Sequence, residues 1–339
     1  MTEQPDPRRE SRLDAIREEA ARTGRAGGGG VAAAGGPMPA SADASASDGY
    51  YNLPLLKPPV WTWEVPLYFF VGGVAGASEA IALAARISGR AAGLERAALW
   101  IALVGALVCP ALLIADLGRP ERFLNMLRVF KWRSPMSVGA WTLVKFSGVA
   151  FVAVVANEAL RAGFAPGLAA GVTWVAEIFG AVLGLILLSY TAVLLGVTAV
   201  PVWSENRRLL PGHFVASSIG AASALLELFG FLIPATQFVG LAASAWETVV
   251  GVAIEVRGRA VDEPLRSGRS GWAARIGGTL AGPVALLIRI LEGASSAGGR
   301  DVAAVCFVVG ALTSRYAWLW AGRVSAGDAG ALFEIQRRG

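Results

Sequence analysis

The sequence is poor in the residues that hold redox metals. Among 339 residues it has two cysteines and one histidine. Cys109 and Cys306 both lie inside apolar runs without metal-ligand spacing, which argues against a zinc site or an iron–sulfur cluster in this chain and favours a packing role. His213 is the only histidine, so two histidines of this chain cannot hold a haem. We therefore expect neither haem nor an iron–sulfur cluster here.

Charge is scarce as well. Charged residues make up 16% of the chain and apolar residues 55%, whereas a soluble domain carries about 25% charged residues. Runs of about 20 apolar residues span a bilayer, and residues 97–115 and 178–200 contain no charge at all. The sequence predicts an all-α polytopic membrane protein that contacts lipid and no nucleic acid.

The apolar runs predict about eight spans, packed as two four-helix bundles. The fourth is long enough to tilt or to project from the bilayer, and a very short turn at residues 234–236 predicts an antiparallel hairpin of the fifth and sixth. The approximate limits are 66–86, 97–116, 137–159, 172–202, 213–234, 236–256, 274–292 and 301–322.

The two ends of the chain differ from this middle part. Residues 1–50 are rich in Arg, Glu, Gly, Ala and Ser and have no apolar segment of the kind found in secretory signal peptides. We expect a disordered tail over 1–50, a transmembrane domain over 51–325 and a C-terminal tail over 326–339.

Ionisable residues inside the predicted spans are functional candidates, because each costs a few kcal/mol there. In the first span Tyr68, Gly72 and Glu79 share one helical face, with Tyr68 and Glu79 roughly 16 Å apart. Gly72 and Gly76 form a GxxxG pattern, which lets a neighbouring helix or a flat ligand approach closely. Helix packing, with Glu79 hydrogen-bonded to a neighbour, explains this face as well as a functional role does.

The other buried charges allow two interpretations. They can neutralise one another as structural ion pairs, for instance Glu247 with Arg315. As a set they also suit a proton route, because buried carboxylates can exchange protons. The candidates for that route are Glu79, Glu177, Glu227, Glu247 and Arg315.

A charged segment separates the second and third spans: ADLGRPERFLNMLRVFKWRSPMSVGAW, residues 115–141. Asp116 and Arg119 stand at i and i+3 and can pair locally. Periodicity alone favours an interfacial anchor with snorkelling arginines.

This segment and four others together resemble the NrfD/polysulfide-reductase membrane-subunit family. The others are LYFFVGGVAGA at 67–77, SYTAVLLGVTAVPVW at 189–203, LPGHFVASSIGA at 210–221 and RYAWLWAG at 315–322. Their order and spacing match over roughly residues 55–325. The resemblance implies an eight-helix subunit that binds menaquinone or ubiquinone in the inner (plasma) membrane.

The resemblance also implies partners. A subunit with four ferredoxin-like iron–sulfur clusters would exchange electrons with the quinone pool through this chain, and a molybdopterin subunit would carry the catalytic site of the respiratory complex. Proton translocation is compatible with this role. A secondary transporter and a purely structural membrane anchor are the alternatives.

The family's headgroup site maps onto Tyr68 and Tyr190, with Asp116 within reach of the quinone and Arg119 fixing the loop. Characterised relatives carry a histidine where this chain has Tyr68. A tyrosine can still donate a hydrogen bond, and quinone reduction needs such donors at the carbonyl oxygens.

The orientation is a testable prediction. With eight spans, the face that bears both termini has 22 Lys and Arg residues and the opposite face has 5, so the positive-inside rule places both termini in the cytoplasm. Reporter fusions after Gly339 and within residues 203–212 should both report cytoplasm. A periplasmic signal from both fusions would reverse the orientation.

Overall fold

The structure is a computed structural model that describes residue 56 and residues 59–89, 92–117, 121–292 and 297–328. The predicted N-terminal tail, most of the predicted C-terminal tail and Arg119 lie outside these residues. Within the described ranges, all regular secondary structure is helical, which confirms the all-α prediction.

The described residues contain twelve α-helices, one 3₁₀ turn at Ala260–Asp262 and one π-helical segment at Leu280–Val284. The helices are α1 Glu64–Ser88, α2 Ala92–Leu117, α3 Glu121–Met126, α4 Pro135–Arg161, α5 Pro166–Gly196, α6 Pro201–Glu205, α7 Leu209–Leu228, α8 Pro234–Arg257, α9 Glu263–Arg266, α10 Gly268–Thr279, α11 Ala285–Glu292 and α12 Ala297–Ala326.

Eight segments of the described chain are long and apolar enough to cross a membrane, as predicted. Seven of them are the single helices α1, α2, α4, α5, α7, α8 and α12. The remaining span, seventh in chain order, consists of α10, the π-helical segment and α11, which follow one another without an intervening loop. The interruption in the seventh span lies at Gly282 and Pro283, where Gly282 leaves the helical region with φ −91° and ψ −106°. Proline removes a backbone donor and clashes with the preceding turn, which explains the break.

Two predicted boundaries were wrong. The fourth span stops at Gly196 instead of 202, because the chain turns there and restarts as α6 at Pro201, a residue suited to the first helical position. The short turn lies at residues 229–233 instead of 234–236. Gly230 adopts a left-handed conformation with φ +91°, and Pro234 begins α8.

The spans form two four-helix bundles, as predicted. The first contains α1, α2, α4 and α5; the second contains α7, α8, the α10–α11 unit and α12. Helices α1 and α5 both pack on α7, and α1 also packs on α12, so these contacts join the bundles. We call the end where α1 begins and α12 ends the terminal face, and the other end the opposite face.

The backbones of α1 and α5 touch at two glycines. A Cβ atom on Gly184 would lie 2.5 Å from the carbonyl oxygen of Gly76, and a Cβ on Gly76 would collide with Gly184 in turn. Only glycine permits this approach. The GxxxG pattern of the first span thus contacts a neighbouring helix at its second glycine.

Candidate functional site

Two tyrosines from different helices meet near the terminal face. The hydroxyls of Tyr68 on α1 and Tyr190 on α5 form a buried hydrogen bond. Tyr68 is 2% exposed and Tyr190 8% exposed. One hydroxyl donates and the other accepts, so the acceptor keeps a hydrogen for which no further acceptor is found among the described residues. We call these two residues the tyrosine pair.

Small residues make room for both rings. Gly139, in the first turns of α4, lies against the Tyr190 ring so closely that a Cβ there would collide with it. Gly72 lies one turn from Tyr68 on α1, and a Cβ there would be 3.7 Å from the Tyr68 ring and 3.4 Å from Cys109 Sγ. Cys109 is fully buried in this core, which agrees with a packing role.

Asp116 lies at the same face but binds a different group. Its carboxylate accepts hydrogen bonds from the Thr62 backbone amide at 3.2 Å and from the Thr62 hydroxyl at 2.7 Å. The same hydroxyl contacts Glu64. Asp116 therefore holds the segment that leads into α1. No hydrogen bond joins it to either tyrosine within the described residues.

Aromatic side chains connect the tyrosine pair to the second bundle. Phe69 lies 5.7 Å from the Tyr68 ring and 6.5 Å from Phe214 on α7, measured between ring centroids. Trp61 stacks on Trp203 at 5.6 Å. The guanidinium of Arg315 lies 3.8 Å above the centre of the Phe214 ring, a cation–π geometry.

The expected pair of Glu247 and Arg315 is not formed. Glu247 instead contacts His213, with 3.1 Å between Oε1 and Nδ1, and His213 Nε2 lies 3.0 Å from the Ser314 hydroxyl. Arg315 donates to the Phe214 carbonyl at 3.0 Å and to the hydroxyl of Ser217 at 2.6 Å. Glu247 thus pairs with His213, and the contacts of the buried Arg315 guanidinium are neutral oxygens and an aromatic ring.

Glu227 belongs to a closed ion cluster in the second bundle. Its carboxylate accepts from Arg289 at 2.6 and 3.0 Å and from Arg300 at 3.3 Å. Glu227 and Arg289 are almost fully buried. Arg300 also donates to the carbonyls of Leu232 and Ile233. Removing one member would leave an unpaired charge in an apolar interior, so these contacts fit the interpretation of Glu227 as a member of a structural ion pair.

A second cluster lies toward the opposite face of the first bundle. Arg86 donates to Glu177 at 2.5 and 3.0 Å and to Glu95 at 2.7 Å. Asn157 also donates to Glu95. These contacts bring together the four helices of the first bundle on the side of the opposite face.

Glu79 has no such partner. It lies on α1 between the tyrosine pair and the Arg86 cluster, is fully buried, and packs against Gly180 of α5. Neither carboxylate oxygen has a hydrogen-bond partner among the described residues. The cross-helix hydrogen bond of Glu79 that the helix-packing interpretation includes is not found among the described residues.

The sequence-predicted residues therefore divide into separate groups. Tyr68 and Tyr190 meet, Asp116 lies at the same face, and Arg119 lies outside the described residues. The candidates for a proton route lie in three separate groups. Glu79 and Glu177 are in the first bundle, Glu227 is in its arginine cluster, and Glu247 and Arg315 lie on either side of α7 residues 213 and 214. Sequence reasoning missed the roles of Thr62, Arg86 and His213, because only helix packing shows which side chains they meet.

Comparison with protein families adds an independent finding. A family model described as polysulphide reductase, NrfD, matches residues 54–250. The matched range contains both tyrosines and Asp116 and ends within α8. No curated protein matches the chain.

The first prediction from this geometry concerns Glu227. Glu227→Gln should lower the free energy of unfolding by about 3–5 kcal/mol, because two buried arginines lose their counter-charge. The matched control is Glu255→Gln, which removes the half-exposed pair with Arg275 and should cost under about 1 kcal/mol. Denaturation in detergent compares the two. Equal, small effects would contradict a structural role for the Glu227 cluster.

Proposed function

Because the chain belongs to the NrfD family of polysulphide-reductase membrane subunits, we propose that it binds quinone or quinol at the tyrosine pair and exchanges electrons with an iron–sulfur partner. Members of this family are membrane subunits of quinone-linked oxidoreductase complexes. In the proposal, the iron–sulfur subunit connects this chain to a molybdopterin catalytic subunit in the plasma membrane. Substrate chemistry takes place in those partners.

The hydrogen bond between the two tyrosine hydroxyls is the observation that carries the proposal. Two phenols that share one hydrogen bond still have one hydrogen to donate, and a quinone carbonyl oxygen is an acceptor of the right kind. A bound quinone would supply a two-electron, two-proton acceptor. The tyrosine pair would orient its ring and donate a hydrogen bond to it.

The surroundings fit a flat ligand that arrives from the bilayer. Tyr190 retains slight exposure and packs on Gly139. Met136, one turn before Gly139 on α4, is 52% exposed, and Val193 on α5 is 42% exposed. Val193 lies one turn after Tyr190, so both exposed apolar side chains lie on the helix faces that carry the contact of Gly139 with Tyr190. A quinone could therefore reach Tyr190 between α4 and α5.

Asp116 and Arg119 complete the site in this proposal. Asp116 fixes Thr62, six residues before Tyr68, and so holds the start of α1 against the end of α2. Arg119 would fix the loop that follows Asp116.

Because the tyrosine pair lies near the terminal face, the iron–sulfur partner would dock on that face.

We further propose that protons reach the site through the first bundle. Glu79 lies roughly 16 Å along α1 from Tyr68, and Arg86 with Glu177 lies beyond it toward the opposite face. Glu79 is the member of this series without a fixed partner, so it is free to pass a proton.

A separate polar group in the second bundle consists of Glu247, His213 and Arg315. The closed cluster of Glu227 makes a transport role for that residue the weaker interpretation.

The interrupted seventh span is the feature that favours the transporter alternative, because transporters bind substrate at broken helices. In this chain the helix α8 packs directly against the backbone at the break and leaves no room for a substrate there. A Cβ on Gly282 would lie 2.9 Å from the Thr248 backbone nitrogen of α8. The break therefore serves helix packing, and we prefer the quinone proposal.

The site is tested by Tyr190→Phe and Asp116→Asn in the assembled complex, assayed with a quinone analogue. Tyr190→Phe removes a hydrogen bond worth about 1–3 kcal/mol, so we expect roughly a tenfold to hundredfold loss of quinone affinity or turnover. We expect Asp116→Asn to reduce quinone kinetics as well. Thr313→Val is the control, because its hydroxyl donates to the Val309 carbonyl of its own helix, α12, and touches neither the tyrosine pair nor the start of α1. If both variants assemble and keep wild-type quinone kinetics, the headgroup binds elsewhere.

The proton route is tested by Glu79→Gln, which preserves shape and removes the exchangeable proton. We expect kcat of the complex to fall by about tenfold or more, with an unchanged KM for quinone and normal assembly. Glu255→Gln serves as the exposed control. Unchanged kcat in the Glu79 variant would remove this residue from the route and leave the tyrosine site untouched.

A further inference from the structure

A polar cleft opens on the terminal face, away from the tyrosine pair. It lies where α6 ends, α7 begins and α8 ends, and its volume is about 370 Å³. The lining residues are Glu205, Asn206, Arg208, Leu209, Arg257 and Arg259. Since α7 enters and α8 leaves the apolar layer here, the cleft lies at the membrane boundary.

The floor of the cleft is a fixed network. Asn206 and Asp262 are buried, and the Asn206 amide donates to Asp262 at 2.7 Å. Arg259 donates to Asp262 at 2.8 Å and to the side-chain oxygen Oδ1 of Asn206 at 2.8 Å. The charge of Arg259 is therefore neutralised by Asp262, and its guanidinium is held in place.

The two remaining arginines leave the cleft positive. Arg208 and Arg257 are exposed, and the described residues provide no ion-pair partner for either. The one carboxylate in the lining, Glu205, lies 3.7 Å from Arg259. Two free guanidinium groups on a fixed floor suit a phosphate group, because arginine binds phosphate oxygens with paired donors.

An apolar stripe starts beside this cleft and runs about 15 Å along α8 into the apolar layer. Val256 precedes Arg257 and is 78% exposed; Val252, Val249 and Trp246 follow on the same outward side of α8, at 56%, 58% and 43% exposed. Their spacing of three to four residues keeps them on one face. The stripe begins at the residue before Arg257, so a positive cleft and an exposed apolar stripe meet at the end of α8. This combination matches a molecule with an anionic head and an acyl chain.

We propose that this cleft binds an anionic phospholipid. The phosphodiester contacts Arg208 and Arg257, and one acyl chain lies along Val256, Val252 and Val249 of α8. Basic pockets beside transmembrane helices recognise anionic headgroups in this way. The site is separate from the tyrosine pair and does not depend on the quinone proposal.

The test measures lipid binding to the full chain in its detergent-purified complex. Phosphatidylglycerol or phosphatidylcholine is titrated, and bound lipid is counted by native mass spectrometry. We expect tighter binding of phosphatidylglycerol. A basic residue near the headgroup contributes about fivefold in affinity, so the double variant Arg208→Gln/Arg257→Gln should weaken that binding by about thirtyfold. Arg269→Gln, which changes another exposed arginine on the same face, should have no effect.

Four results would overturn the assignment. The first is equal binding of the two lipids. The second is an equal loss in the Arg269 variant, which would show a diffuse surface effect. The third is displacement of phosphatidylglycerol by free glycerol phosphate at matched concentration, which would indicate a soluble anion. If the double variant keeps its lipid but loses a partner subunit, the cleft binds an acidic protein surface and the lipid assignment is wrong.

Discussion

The contact between α1 and α5 at Gly76 and Gly184 is the constraint on which the candidate site depends. The two helices run in opposite directions, so the register at this contact determines which side chains of α1 and α5 meet on either side of it. Toward the terminal face, Tyr68 stands eight residues before Gly76 and Tyr190 six residues after Gly184, and their hydroxyls meet. Toward the opposite face the same register places Glu79 against Gly180. A larger residue at the contact would move both polar positions at once.

The bundle stabilises its buried charges in different ways, and the difference separates structural from functional candidates. Glu227 is matched by Arg289 and Arg300. Arg315 is surrounded by carbonyl and hydroxyl oxygens and the Phe214 ring. Glu79 alone among the proposed proton carriers has unpartnered carboxylate oxygens within the described residues. An unpaired carboxyl in an apolar interior is costly, which is why its presence between two polar groups supports a role in proton transfer.

Hydropathy predicted the eight spans because apolar length is a local property of the chain. It failed at 196–202, where the residues remain apolar but Pro201 starts a new helix, and at 229–233, where Gly230 makes the turn that was expected at Pro234. The motifs singled out Tyr68 and Tyr190 without showing that they touch. Partners such as His213 for Glu247 depend on the rotation of α7 against α8, which no local pattern encodes.

The proposed function requires that the quinone headgroup binds at the tyrosine pair between α1, α4 and α5. Photolabelling of the purified complex with an azido-quinone, followed by peptide mapping, tests it most directly. Quinol-competable label should appear on the beginning of α1, on the first turns of α4 around Gly139 and on the end of α5 near Tyr190. Competable label confined to the second bundle, or to a partner subunit, would contradict the claim.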